Sequence, residues 1–407
     1  MAEKLAVSGG KPVRSKPFPA RTPFGKEEEA LVLEALRSQN LFYWGGKQVK
    51  ALTEEFARAY GAKRAVACSS GTAAVHLAVG AVDPNPGDEI ITTPITDLGT
   101  IIPILYQNAV PVFADVDPLT GNMDPRSTES RITARTRAII LVHLFGNPAP
   151  VEKFVEMARR RKVMLIEDSS QAHVTKYRGR YVGTSGEIGT FSFQQSKQMT
   201  TGDGGCVITD NEKLADRMFL FADKNFDRLG LKDSRSYFGL APNYRMNELT
   251  GAVARAQLGK VRGVVEKRIA LGKRLNEQLS AVKGVRPLPV LPEAEYSGWA
   301  YPIRVESGDL ARWREALAAE GLSTMQGYIG KPIFLCSDAL KDHRTYGDSH
   351  FPFGSQYARN IDYRAGDCPG AEDFCSHVLN FAFNENWAAA DIDDAAGCVE
   401  KVARALA

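Results

Sequence analysis

The amino-acid sequence predicts an α/β protein, with a mostly parallel central sheet in a large N-terminal domain and a smaller α+β domain after it. Three observations carry this prediction. Short apolar runs recur between residues 64 and 210, each closed by a Gly, Pro, Ser or Asp cluster. Helical periodicity fills several of the gaps, and strands alternating with helices build a parallel sheet. From residue 247 the pattern gives way to a long Pro-free segment rich in Ala, Leu, Arg, Lys and Glu.

In chain order, residues 1–15 read as an extended arm. Leu52, Phe56 and Tyr60 share one face of a helix that ends at Gly61. The strand candidates are 65–68, 89–92, 110–114, 137–142, 163–166, 190–193 and 206–209; continuous apolar runs of this kind suit strands buried on both faces. Between the fourth and fifth, Val151, Phe154, Met157 and Ala158 recur at helical spacing. Residues 247–282 read as one long helix, 299–305 as a strand and 310–320 as a helix. Ile392, Ala395, Val399 and Val402 share a face of a closing helix that starts at Asp391. Residues 330–375, full of Gly, Pro, Asp, His and Tyr, read as an ordered but irregular excursion. A chain of 407 residues exceeds a usual single core. The long helix therefore sets the boundary, with the arm and large domain in 1–250 and the small domain in 251–407.

Composition excludes several function classes. With 51 Lys+Arg against 48 Asp+Glu the net charge is only +3, too little for nucleic-acid binding by bulk field. The densest basic stretch, Arg159 to Lys162, closes a helix, where cations suit the dipole. The six Cys show no CxxC pairing and no metal spacing with His, so reduced thiols and no metal site are expected. The N-terminus lacks an apolar signal region and no run approaches a membrane span, so a cytoplasmic protein is expected. Gly183, Gly186 and Gly189 do not have the GxGxxG spacing of a nicotinamide site.

Three segments carry chemistry. In 190–205 a strand runs into a polar loop bearing Lys197 and returns through Gly202, Gly204 and Gly205 to a second strand. In 163–172 Glu167 and Asp168 directly follow an apolar strand. Strand ends of this kind form the ligand crevice of open α/β sheets, so one of the two faces a ligand or caps a turn. In 69–74 small residues open a helix after a strand, which suits either a phosphate or a plain N-cap. Together they supply an amine, a carboxylate and an anion cradle on one sheet. Pyridoxal 5′-phosphate requires that set for its aldehyde, its pyridine nitrogen and its phosphate.

These segments, with Asn243-Tyr244-Arg245-Met246-Asn247, the Gly9-Gly10-Lys11-Pro12 arm and Cys368-Pro369-Gly370-Ala371-Glu372, resemble the DegT/DnrJ/StrS aminotransferase family in order over nearly the whole chain. The resemblance implies a fold-type I, aspartate-aminotransferase-like architecture and a homodimer with shared active sites. By position, Lys197 resembles the Schiff-base lysine and Asp168 the carboxylate paired with the pyridine nitrogen. Gln171 resembles the residue beside the phenolic oxygen, and Gly71, Thr72 and Ser192 resemble phosphate contacts. Asn243 resembles the residue that reaches the phosphate of the neighbouring subunit's cofactor. The implied reaction is ping-pong transfer of an amino group from glutamate or glutamine to a keto-sugar or keto-cyclitol.

Two positions depart from the family pattern. Asp97 stands where an aromatic residue commonly stacks on the pyridine ring, which suits a cationic or hydroxyl-rich substrate or a turn cap. Gln194-Gln195 precede the lysine where His-Pro is frequent, and look closer to members acting on cyclitol ketones or aminohydroxybenzoate precursors. Tyr328 is a further substrate-pocket candidate. A sugar dehydratase or lyase on the same cofactor is an alternative disfavoured by the presence of Lys197. A non-catalytic regulatory protein of this fold is disfavoured by Lys197 and Asp168 together.

Overall fold

The computed structural model describes residues 3–406. Seven strands form the main sheet: β1 (Arg64–Cys68), β2 (Glu89–Thr92), β3 (Val110–Phe113), β4 (Thr136–Val142), β5 (Met164–Asp168), β8 (Ile188–Ser192) and β9 (Gly205–Thr209), with β6 (Lys176–Tyr177) and β7 (Arg180–Tyr181) in a small side sheet. Their order is β1-β9-β8-β5-β4-β2-β3. All seven expected strands are present, with ends moved by one or two residues. Strands β3, β2, β4, β5 and β8 pair in parallel, while β9 runs antiparallel to both β8 and β1. That one reversal follows from chain length. The β8–β9 connection has no crossover helix, so the chain can only fold back on itself.

Alternation along the strands feeds two faces. Ala138, Ile140 and Ile166 pack with α3 (Gly71–Val82) and α7 (Glu212–Ala222). Ile139, Leu141 and Leu165 pack on the other face with Phe154 and Met157 of α6 (Val151–Arg161). Two further helices, α1 (Lys26–Arg37) and α2 (Gln48–Tyr60), lie against α8 (Glu248–Leu279), while α4 (Leu98–Tyr106) and α5 (Pro125–Arg131) connect sheet strands. The expected helix before Gly61 is α2, ended by Gly61 at φ 74°, where a residue without Cβ is favoured. The basic stretch closes α6 as expected, with Arg160 and Arg161 paired to Glu129.

The long helix is α8, 32 residues capped by the Asn247 side chain on Thr250 N–H. After it, β10 (Val285–Pro287), β12 (Tyr301–Val305), β14 (Val378–Phe381) and β13 (Met325–Gln326) form an antiparallel sheet, while β11 (Ala294–Glu295) joins the side sheet. The four-stranded sheet packs with α9 (Leu310–Glu320) and α12 (Ala389–Leu406) around Trp313, Tyr301 and Phe381. Leu5 and Val13 of the arm and Phe18 just after it join this core, and the arm contains a short 3-10 turn at Ala6–Ser8 rather than being extended throughout. Met1 and Ala2 of the predicted arm lie outside the described residues.

The excursion is less irregular than expected. It holds the short α10 (Asp338–Lys341) and the nine-residue α11 (Pro369–His377). It also covers the free edge of β3, where Tyr363 Oη donates to the Pro111 carbonyl at 2.6 Å, and it is tied to the segment after β2 by Ile333 N–H donating to the Pro94 carbonyl. An edge strand left bare would offer unpaired backbone groups to another chain.

Candidate active site

The C-terminal ends of β5 and β8, the N-termini of α3 and α4, and the loop between β8 and β9 enclose a cavity of about 360 Å³. Gly71, Thr72, Asp97, Asp168, Gln171, Ser192, Lys197 and Tyr328 all line it. Asn243 does not; it is exposed on the segment between α7 and α8.

Lys197 hangs from a loop pinned at several points. Lys197 N–H donates to the Gln194 carbonyl at 2.9 Å, and Thr201 N–H and Thr200 Oγ1 donate to the Phe193 carbonyl at 2.9 and 3.1 Å. Its Nζ lies 4.1 Å from the centre of the Trp299 ring, and the residue is 8% exposed. Burial lowers the ammonium pKa to about 8, against the opposing pull of Asp168 and Asp97. An amine in that range is free in useful amount near neutral pH.

Strand alternation decides between the two acidic residues. Asp168 lies on the α3 face, in the cavity, where Thr100 Oγ1 donates to Oδ2 at 2.9 Å and Ser170 N–H donates to Oδ1 at 3.1 Å. Glu167 lies on the other face, fully buried, and accepts from His143 and from the N–H groups of Gly183, Ser185 and Gly186. Ala149 N–H donates to His143 Nδ1, which leaves the ring proton on Nε2 to point at Glu167. Burial alone would raise the Glu167 pKa; His143 and the backbone N–H groups outweigh it and hold the carboxyl below its usual range. Glu167 is thus a satisfied structural anion, and Asp168 is the one left to a ligand.

At the N-terminus of α3 the cap and the cradle coexist. Ser70 Oγ accepts from Ala73 N–H at 3.0 Å, so the serine caps while Gly71 and Thr72 open onto the cavity beside Ser192. A Cβ on Gly71 would come within 2.6 Å of Ser192 Cβ and 2.7 Å of its Oγ. A concave, Cβ-free helix start next to a hydroxyl fits a phosphate, and a buried amine and carboxylate at one cavity fit an aldehyde and a pyridine nitrogen. Asp97 also serves twice: Oδ1 caps α4 by accepting from Gly99 N–H at 2.8 Å, and the residue lines the cavity.

Several residues that line the cavity or pack behind its wall carried no sequence signal. Phe145 adopts φ 58°, a left-handed conformation costly for a side chain with Cβ. That conformation turns its N–H to the Gln171 Oε1 at 2.7 Å and its ring towards Trp299 and Tyr328. Trp299 and Thr100 come from distant parts of the chain. Among the described residues lining the cavity, Lys197 is the one cation, against Asp97, Asp168 and Asp203. No group of described residues is arranged to hold a metal ion, and no described helix is long and apolar enough to cross a membrane.

The profile of the DegT/DnrJ/EryC1/StrS aminotransferase family matches residues 23–400. The chain is 34% identical to the L-glutamine:2-deoxy-scyllo-inosose aminotransferase of Streptomyces kanamyceticus, over 89% of this chain and 87% of that one. It is 30% identical to the GDP-perosamine synthase of Caulobacter vibrioides, over 88% and 90%. Among solved structures, 3-amino-5-hydroxybenzoic acid synthase superposes with a TM-score of 0.83 at 26% identity, covering 96% of this chain and all of the other. The family match over most of the chain, on a fold that brings the amine, the carboxylate and the anion cradle to one cavity, establishes that this protein belongs to the DegT/DnrJ/EryC1/StrS aminotransferase family and is a pyridoxal-phosphate-dependent aminotransferase.

Proposed function

We propose that the enzyme transfers an amino group from glutamine or glutamate to a keto-cyclitol or a similar hydroxyl-rich keto-sugar, and that Lys197 and Asp168 carry the chemistry. The observation that carries this reading is the convergence of the buried Lys197 amine and the Asp168 carboxylate on the cavity beside the Gly71–Ser192 cradle. Pyridoxal phosphate supplies an electron sink for the carbanion that forms when the donor loses its α-proton. Gly71, Thr72 and Ser192 would hold the phosphate, and Gln171, oriented by Phe145 N–H, would sit by the phenolic oxygen. Asp168 would hold a proton on the ring nitrogen, with Thr100 and Ser170 fixing the direction of its oxygens. Lys197, with its pKa lowered to about 8, would take the proton from the donor α-carbon and return it one atom away. Trp299 and Tyr328 wall the cavity, where they would shield the reacting carbon from water.

The excess of carboxylates over cations favours a polyhydroxylated or amino-bearing acceptor over one presenting phosphates. The glutamine-dependent cyclitol relative supports the same choice. A second copy of the chain is part of the proposal. Asn243 is exposed beside a run of exposed apolar residues, with Leu231 at 63% and Leu240 at 97% exposure and Trp44 nearby at 50%. Such a surface suits burial against another subunit, and would bring Asn243 to the partner's phosphate. The test loads the cofactor to its amine form with glutamine or glutamate and then offers keto-cyclitols and nucleotide-linked keto-sugars. Return of the original absorbance with a keto-cyclitol supports the reading; return with nucleotide-linked sugars alone contradicts the acceptor class.

A further inference from the structure

Lys197 lies in a loop without regular structure, yet three of the carbonyls around it share one partner. Arg21, in the segment between the arm and α1, donates through Nη1 to the Gln195 carbonyl at 3.3 Å and to the Lys197 carbonyl, and through Nη2 to the Gln198 carbonyl at 2.6 Å. Its Nε donates to Glu385 Oε1 at 2.7 Å. The other oxygen of Glu385 accepts both Nε and Nη2 of Arg268, at 3.0 and 2.8 Å. Arg268 Nη1 then donates to the Gly298 carbonyl at 3.2 Å, one residue before Trp299. The Trp299 ring covers the Lys197 Nζ, and its indole N–H donates to the Ser196 carbonyl at 3.1 Å. One carboxylate therefore governs both grips on the lysine: Arg21 on the backbone and Trp299 on the amine.

The network is nearly dry. The Arg21, Glu385 and Arg268 side chains are 13%, 10% and 2% exposed. Burial opposes the Glu385 charge, but the two guanidinium groups outweigh it and hold the carboxyl below its usual range. The segment bearing Arg21 is fastened to the C-terminal domain. Phe18 stacks on Trp387 at 4.2 Å, Arg14 pairs with Asp391 and Asp394, and Asn384 and Asn386 donate to the Pro19 and Ala20 carbonyls. Arg21 thus links a segment fastened to the C-terminal domain with the loop that carries Lys197.

We propose that Arg21 is a positioning residue: through Glu385 and Arg268 it registers the Lys197 loop against the C-terminal domain and so sets where the amine points. The proposal rests on the reading that Lys197 carries the cofactor. A guanidinium that merely stabilised the fold would affect every ligand of the cavity alike, whereas one that aims the lysine acts on the covalent step. Pyridoxamine phosphate, which is not attached to a lysine, separates the two. In Arg21→Ala the visible absorbance band of lysine-bound pyridoxal phosphate should grow roughly ten- to a hundredfold more slowly, as expected for a misplaced reacting group. The pH midpoint of that band should move as well, while pyridoxamine phosphate affinity stays within about twofold. Arg21→Lys should recover part of the rate, since an ammonium can bridge Glu385 and one carbonyl. Glu385→Gln should fall between the two and stands in where Arg21→Ala does not fold. Equal loss of both cofactors, or no change in either, overturns the proposal. A wild-type protein without the band removes the underlying reading, and this inference with it.

Discussion

Burial of Lys197 has a price in stability that can be measured. Its ammonium ionises with a pKa of about 8 in the folded protein, against 10.5 for an ordinary lysine, because it lies in a cavity wall away from water. The unfolded chain keeps its proton up to the higher value, so between pH 8 and 10.5 the unfolded state binds more protons and stability rises with pH. Below pH 8 the folded protein carries the whole penalty, ~3 kcal/mol when the difference between the two values is converted at 1.36 kcal/mol per unit. Lys197→Met keeps an unbranched side chain one atom shorter and removes the charge. The cofactor-free variant should therefore be more stable than the cofactor-free wild type at pH 7, by up to ~3 kcal/mol. The difference should shrink towards zero as the pH passes through the window. Urea unfolding at several pH values reads both quantities, and comparing the two proteins cancels the titration of groups that do not interact with Lys197. A variant no more stable than wild type, or an advantage unchanged between neutral and alkaline pH, would refute the reasoning.

Three further outcomes follow from the same geometry. Asp168→Asn should retain cofactor capture but lose about 10²- to 10⁴-fold in the rate of α-proton removal, the usual scale for a group that supports proton transfer; stopped-flow half-reactions with glutamate measure this, and an intact rate contradicts the role of Asp168. Gly71→Ala drives a methyl group into Ser192 and should weaken phosphate-dependent cofactor binding by roughly tenfold with the circular dichroism spectrum unchanged; unaltered affinity would move the phosphate elsewhere. Asn243→Ala should loosen the cofactor, and mixed dimers of Asn243→Ala with Lys197→Ala should regain activity at one site in each dimer. Mixtures no more active than the parent variants would contradict a shared site.

How much the sequence discloses depends on the range over which each feature is determined. Strands β3 and β9 are buried throughout, and that condition writes itself as an apolar run. The helix ended by Gly61 and the one capped by Asn247 are likewise local. Glu167 and Asp168 mark the other limit. Adjacent acidic residues after a strand announce a site, but only the packing of Ile166 against α3 decides which of them faces it. Helix α11 escaped notice because its cap is not local: Asp115, after β3, accepts from the N–H groups of Gly370 and Ala371 at 2.8 and 2.9 Å. Pro369 suits the first helical position, but Gly370 beside it weakens the local preference. Arg21, Trp299 and Phe145 were invisible for the same reason. Their roles come from contacts across domains, or from one left-handed backbone position that no residue type advertises.

Attachment of the cofactor to Lys197 is open to direct measurement. Purified protein reconstituted with pyridoxal phosphate, reduced with borohydride and digested, reports this directly by peptide mass spectrometry. The account predicts a single pyridoxyl-modified peptide with the modification on Lys197, absent from Lys197→Ala. Modification of another lysine, or none in a protein that still transfers amino groups, would contradict it.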